Sequence, residues 1–320
     1  MRKRILTITS LMLAAAMVLG GCGAEGKSTT MTFGTGGTTG TYYTVGGTMS
    51  TVLNDAMENV DLKVVSTGAS KANIFDIEDG VSDIAIVQND VMYYAYEGSD
   101  LFEEDGVFDS FTAIGALYDE TCQIVATGDI NSIEDLKGKT VNVGDAGSGV
   151  EFNATQILAA YGMDINKDIN KVNGSFGDAA DSIKDGKIDA AFITAGAPTT
   201  AVVDLSIAKD IKLLEIDDEH ANQLMKQYPY YTKSVVPAGT YTGVDKDSNT
   251  LAVKATLIAS KELSEESVYE LTKALFENKE ALEKSNAKFV ELNSETTING
   301  ISVPFHPGAE KYFKEIGTIK

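Results

Sequence analysis

Two glycine-rich segments carry the residue types best suited to holding an anion. Phe33-Gly-Thr-Gly-Gly-Thr-Thr-Gly40 and Val143-Gly-Asp-Ala-Gly-Ser-Gly149 each follow a β-like run and precede a helical one. Glycine lets a backbone approach a bound group closely and supplies the positive φ that such turns need. The helix start adds unpaired N–H groups and the positive end of the helix dipole. Hydroxyls are interleaved with the glycines: Thr35 and Thr39 in the first segment, Ser148 in the second. Tyr42 and Tyr43 follow the first directly, each offering an apolar wall with a polar tip. Gln88 and Thr194 end two matching apolar runs. With Gly36 and Gly147, these residues make a candidate pocket for a small carboxylate. Arg occurs only at positions 2 and 4, and Trp is absent. An anion would therefore rest on backbone N–H groups, hydroxyls, amides or Lys rather than on a bidentate guanidinium.

Other chemistries fit poorly. Gly34 and Gly36 match a dinucleotide fingerprint, but Thr39 stands where its third glycine is needed, and no Gly-Lys-Ser/Thr follows for a phosphate loop. Ser148 lacks the Gly-x-Ser-x-Gly elbow of a hydrolase. His220 sits in an acidic helix start and reads as a solvated surface residue, while His306 precedes a terminal helix and reads as structural. No His/Cys cluster has zinc spacing, and Asp245-Lys-Asp247 lacks the Gly and Glu of a calcium loop. Neither a metal nor a cofactor is expected, and no catalytic residues are assigned.

The N-terminus points outside the cytoplasm. Arg2, Lys3 and Arg4 precede an apolar stretch that ends in Leu19-Gly-Gly-Cys22. This is the pattern of an export signal over residues 1–21, too short for a membrane span. Its ending resembles a lipobox, so Cys22 is expected to carry lipid and residues 22–30 to form a tether. Cys122 then has no partner and reads as a small buried strand residue, in an exported protein without disulfides. The formal charge of -21 disfavours nucleic acid and anionic surfaces.

The elements that must position these residues alternate. Strand-like runs are Met31–Phe33, Leu62–Ser66, Ile84–Val87, Thr112–Ala116, Gln123–Thr127, Thr140–Val143, Asp189–Ile193, Ile211–Glu215 and Leu251–Ser260. Helical patterns lie between them: Tyr42–Asn59, Lys71–Glu78 capped by Ser70, Val150–Tyr161 stopped by Gly162, and one from Ser264 to about Asn278. Such alternation predicts an α/β fold with a largely parallel sheet. Ile77-Glu-Asp-Gly80-Val-Ser-Asp83-Ile-Ala85 resembles Ile183-Lys-Asp-Gly186-Lys-Ile-Asp189-Ala-Ala191, and the glycine-rich segments precede them at nearly the same offset. The repeat predicts two similar α/β lobes. Residues 31–120 and 250–320 are expected to form lobe I and 121–249 lobe II, with a hinge where the chain crosses.

At these motifs the sequence resembles the TAXI receptors of tripartite ATP-independent periplasmic (TRAP) transporters. The markers include Gly34-Thr-Gly-Gly37, Gly40-Thr-Tyr-Tyr43, Ser66-Thr-Gly-Ala-Ser70 with Asn73, Asp83-Ile-Ala85 with Gln88, Gly147-Ser-Gly149, Thr194 with Gly196 and Pro198, and Tyr228-Pro-Tyr-Tyr231. The resemblance covers nearly all of the chain past Cys22. It implies a type II periplasmic-binding-protein-like clamshell with a hinge. It adds Asn73, Gly196, Pro198 and Tyr231 to the candidate ligand-binding residues. It also implies a glutamate, glutamine or 2-oxo dicarboxylate ligand and TRAP membrane permease subunits as partners, for an extracytoplasmic lipoprotein. A receptor for an ABC importer, an exported enzyme using Ser148 or His306, and a ligand-presenting sensor are the alternatives.

Overall fold

A computed structural model describes residues 29–320; the expected signal segment and Cys22 lie outside them. The strands are β1 (Thr29–Gly34), β2 (Val60–Val65), β3 (Ile84–Gln88), β4 (Phe111–Ala126), β5 (Thr140–Asn142), β6 (Asn170–Val172), β7 (Ala190–Ala195), β8 (Lys212–Leu214), β9 (Thr232–Val236) and β10 (Ser248–Ser260). The helices are α1 (Thr41–Leu53), α2 (Ser70–Glu78), α3 (Asn89–Glu97), α4 (Gly149–Ala160), α5 (Phe176–Lys184), α6 (Thr200–Ala208), α7 (Asp218–Gln227), α8 (Glu265–Glu277), α9 (Lys279–Ser285) and α10 (Pro307–Glu315).

The strand order is β2-β1-β3-β10-β4-β7-β5-β6, with β8 added to β4 and β9 to β10. Reading inward from either end gives the same pattern: β2-β1-β3 then β10, and β6-β5-β7 then β4. The repeat seen in the sequence explains this. Phe33 pairs with Ile84 and Gly34 with Ala85, as Val141 pairs with Ala190 and Asn142 with Ala191. The repeated aspartates do one job twice. Asp83 Oδ2 accepts the Thr32 N–H at 2.7 Å, and Asp189 Oδ2 accepts the Thr140 N–H at 2.8 Å. Each carboxylate satisfies an N–H just ahead of its strand's pairing with the neighbour, where an unpaired donor would be costly.

The sheet departs from the expected parallel one at its middle. β1 runs parallel to β2 and β3, and β5 to β6 and β7, but β10 is antiparallel to β3 and β4, and β4 to β7. The two runs read as Thr112–Ala116 and Gln123–Thr127 are one strand, β4. Tyr118-Asp-Glu-Thr121 is thus extended chain within it, paired to Ala252–Ala255 of β10. Two long antiparallel strands carry the chain across, and each serves both halves. The apolar packing divides accordingly. One set of clusters gathers residues of β1, β3, α1, α3, α8 and α10, such as Met31, Met49, Met92 and Phe313. The other gathers β5, β7, α4 and α6, such as Val141, Ile157, Phe192 and Val202. The molecule is a two-lobed α/β clamshell.

Smaller departures have local causes. α1 ends at Leu53 rather than Asn59, because the chain must turn to enter β2. Ser70 is the first residue of α2 rather than its cap; Ala69 holds that place with φ 66° and ψ −150°, a region that favours glycine. Cys122 is buried and in no disulfide among the described residues; its Sγ accepts from Thr194 Oγ1 at 3.7 Å, and burial pushes its pKa up to about 12.

Candidate ligand-binding cleft

Both glycine-rich loops reach one cleft between the lobes. Its lining includes Gly36, Gly37, Thr39, Gly40 and Tyr42 from the β1–α1 loop and helix start, with Ala69 and Ser70 before α2 and Gln88 ending β3. Lobe II supplies Asp145, Ser148 and Gly149 from the β5–α4 loop, Ser175 and Phe176 at the start of α5, and Thr194 and Ala195 ending β7. Glu120 of β4 lies between the two sets. The cleft holds about 50 Å³ of free space. It lies beyond the carboxyl ends of the strands, where open α/β sheets place their ligand sites.

The lobes touch across it. Thr41 Oγ1 donates to Gly196 O at 2.9 Å, and Ala201 N–H donates to Thr39 O at 3.3 Å. Gln88 Nε2 donates to Asn153 Oδ1 at 2.7 Å, while Asn153 Nδ2 donates to Asp90 Oδ2 at 3.0 Å and Tyr231 Oη at 2.9 Å. Tyr231 Oη donates in turn to Gln156 Oε1 at 2.6 Å. This buried chain joins β3 and α3 to α4 and to the residue just before β9. Burial raises the Asp90 carboxyl to about 6, against the lowering effect of the Val91 N–H and Asn153.

The thirteen-residue expectation divides on inspection. Gly36, Thr39, Tyr42, Gln88, Ser148 and Thr194 line the cleft. Thr35 and Asn73 do not. Thr35 Oγ1 donates to Val65 O at 2.6 Å, and Asn73 Nδ2 donates to Thr35 O and Ile86 O at 2.8 Å. Both are buried rivets that tie the first glycine-rich loop to its neighbours. Tyr43 is partly buried on the face of α1 away from the lining. Gly147 donates its N–H to Glu151 Oε2 at 2.6 Å with φ +75°, so it shapes the loop. Gly196 and Pro198 lie in the β7–α6 connection behind the lining, where Gly196 O is held by Thr41 and Thr199. Tyr231 belongs to the interlobe chain described above.

Ser148 lines the cleft, but its Oγ already accepts the Glu151 N–H and caps α4. No histidine joins it there. His306 is buried and caps α10 through Nδ1, and His220 stacks on Tyr161 with centroids 3.7 Å apart rather than standing free in solvent. Among the described residues no group of His, Cys, Asp and Glu is placed to hold a metal ion, and no helix is long and apolar enough to cross a membrane.

The residue that sequence reading missed is Glu120. It is 2% exposed, and burial holds its carboxyl well above the usual range. Its Oε1 has no hydrogen-bond partner, while Tyr42 Oη lies close enough to interact with the carboxyl. The one available signal was a glutamate among the polar residues 119–121 that interrupt the apolar run of Phe111–Ala126. Asp145 is a second acid in the lining, raised by burial and by Asp178. Lys71 is paired with Asp105 and Lys233 with Asp218, each at 2.5 Å.

Solved structures share this architecture. The alkanesulfonate-binding protein SsuA from Xanthomonas axonopodis pv. citri, bound to MOPS, superposes with a TM-score of 0.53 at 13% identity, over 90% of this chain and 84% of that one. SsuA from Escherichia coli gives 0.51 at 13% identity, over 89% and 82%. A putative L-cystine ABC transporter protein from Listeria monocytogenes gives 0.50 at 18% identity, over 82% and 96%. At these identities the likeness is one of fold. The sequence itself is matched over residues 33–317 by the model of the NMT1-like family, and the chain belongs to that family.

Proposed function

We propose that this protein is an extracytoplasmic solute-binding receptor that closes its two lobes on a small carboxylate-bearing molecule and delivers it to a membrane transporter. One observation carries the reading: helix starts and glycine-rich loops from opposite lobes line a single cleft. The starts of α1 and α2 have no side-chain cap, which leaves N–H groups there for a ligand, whereas at the start of α3 the Val91 N–H is already held by Asp90 Oδ1. Each charge-assisted hydrogen bond contributes about 1.5–3 kcal/mol, and a few of them suffice for micromolar affinity. Gly36, Thr39, Tyr42, Gln88, Ser148 and Thr194 are the contact residues we assign. The lobes are residues 31–120 with 250–320, and 121–249, and they move about β4 and β10. Titration calorimetry against small carboxylates and amino acids tests the reading; a folded protein that binds none of them overturns it.

The finer assignment is a TAXI receptor of a TRAP carrier, on the motifs that resemble that family. A receptor for an ABC importer is the second reading, favoured by the folds of SsuA and the Listeria protein. Uptake in vesicles separates the two: a TRAP carrier stops when ion gradients collapse, an ABC importer when ATP is removed. The lipid anchor on Cys22 is proposed with them. Cys22→Ser is expected to move the protein from the membrane fraction to the soluble one.

A further inference from the structure

We infer that Glu120 recognises a positively charged N–H group on the ligand, so that the cleft takes amino acids in preference to 2-oxo acids and dicarboxylates. The inference rests on the receptor reading above and narrows its ligand class. Glu120 lies where β4 passes between the lobes, opposite Val253 of β10. It lines the cleft, is 2% exposed, and has Oε1 without a hydrogen-bond partner. Its neighbour in the strand, Tyr118, likewise has a buried hydroxyl with no partner. A buried acid with an unmatched oxygen is costly unless it holds a proton or meets a cation.

No residue of the lining is a cation. The nearest lysine influence on Glu120 is Lys288, in the 3₁₀ turn Ala287–Glu291, and its Nζ is already held by Glu291 Oε1 at 2.5 Å. The other groups facing Glu120 add no positive charge. They are Tyr42 of α1, Asp90 of α3, and Asp119, Tyr118 and Cys122 of β4. Lys254 of β10 is paired with Asp119 at 2.6 Å. Across the cleft the acid is Asp145.

Geometry then sorts ligands by charge pattern. A carboxylate belongs at the uncapped starts of α1 and α2, among Gly37, Gly40 and Ser70. A second carboxylate beside Glu120 is tolerated only while Glu120 keeps its proton, because the ionised pair would meet like charge in a low-dielectric site. An ammonium there supplies the missing donor. Because burial favours the protonated acid in the free protein, binding an ammonium releases that proton to solvent, and affinity rises with pH. A dicarboxylate reverses the sign.

The test is calorimetric titration of the full chain with matched pairs that differ in ammonium against carbonyl: L-glutamate and 2-oxoglutarate, L-aspartate and oxaloacetate, L-leucine and its 2-oxo acid. The expected result is that the amino member of the bound pair is at least tenfold tighter. Its affinity rises from pH 5 to 7, and Glu120→Gln removes at least tenfold of it. An oxo member that binds equally or more tightly overturns the inference while leaving the receptor reading intact. So does a folded Glu120→Gln protein whose amino-acid affinity is unchanged. If Glu120→Gln fails to fold, the wild-type pairs and their pH dependence still decide. Binding of no probe by the folded wild-type protein overturns both readings together.

Discussion

The two lobes repeat one topology yet finish their cleft-facing helices differently. In lobe II, Ser148 caps α4, and Ser175 caps α5 in a capping box completed by Asp178, while α6 has no side-chain cap and its Ala201 N–H donates to Thr39 O. In lobe I, α1 follows Gly40, α2 follows Ala69 and α3 follows Gln88, none with a side-chain cap. A capped helix start spends its N–H groups within the chain, and an uncapped one keeps them for something else. The buried acid that ties the lobes together, Asp90, is also on the lobe I side, facing the amide of Asn153. The difference teaches a division of labour. On the receptor reading proposed above, lobe I would supply the free N–H donors and lobe II would close over them.

The largest expected effect concerns Asp90. Its pKa is raised in the folded protein, so between about pH 4 and pH 6 the folded state binds a proton that the unfolded state does not. Stability from this group is greatest at the acid end and falls as pH rises to about 6, by about 3 kcal/mol. Asp90→Asn should flatten that part of a denaturant stability profile; a profile that stays as steep removes Asp90 from the account.

Gly149→Ala tests the lid. A Cβ there would lie 1.6 Å from Gln88 Oε1 and 2.9 Å from Val91 Cγ2, both across the cleft. Overpacking of about 1–3 kcal/mol predicts a loss of affinity of roughly tenfold to a hundredfold. The fold should persist, since the clash exists only when the lobes meet. Gly47→Ala is the control, because its Cβ on α1 meets nothing within 4 Å and lies outside the cleft lining. Equal affinities for the two variants would break the lid model.

Ser175→Ala should lower stability by about 1 kcal/mol, a few degrees in a thermal melt, by removing the cap that completes lobe II. Ala69→Gly has the smallest expected effect and the opposite sign. Relief of the φ 66° conformation should outweigh the added chain entropy and raise stability by up to about 1 kcal/mol. A destabilised Ala69→Gly protein would show that the strain is not there.

Much of this was readable before any coordinates. The repeated Asp-Gly-x-x-Asp pattern and the paired glycine-rich loops predict two α/β lobes because each element's periodicity and turn chemistry is local. Thr35 and Asn73 misled for the same reason. A polar side chain beside a glycine-rich loop reads alike whether it faces a ligand or rivets the loop, and only Val65 O and Ile86 O distinguish the cases. The crossing at Tyr118–Thr121 read as a break because its polar residues interrupt an apolar run. In the structure they pair with β10, and the strand continues.

Local sequence by itself determined the α/β alternation, the duplicated lobe and the absence of an arginine clamp, since these depend on neighbours a few residues apart. Tertiary structure alone decided that β4 and β10 run through both lobes, that the sheet turns antiparallel at its centre, and that Glu120 sits unmatched in the cleft. Those outcomes depend on partners brought from distant parts of the chain, and burial, not spacing, gives an acidic side chain its meaning.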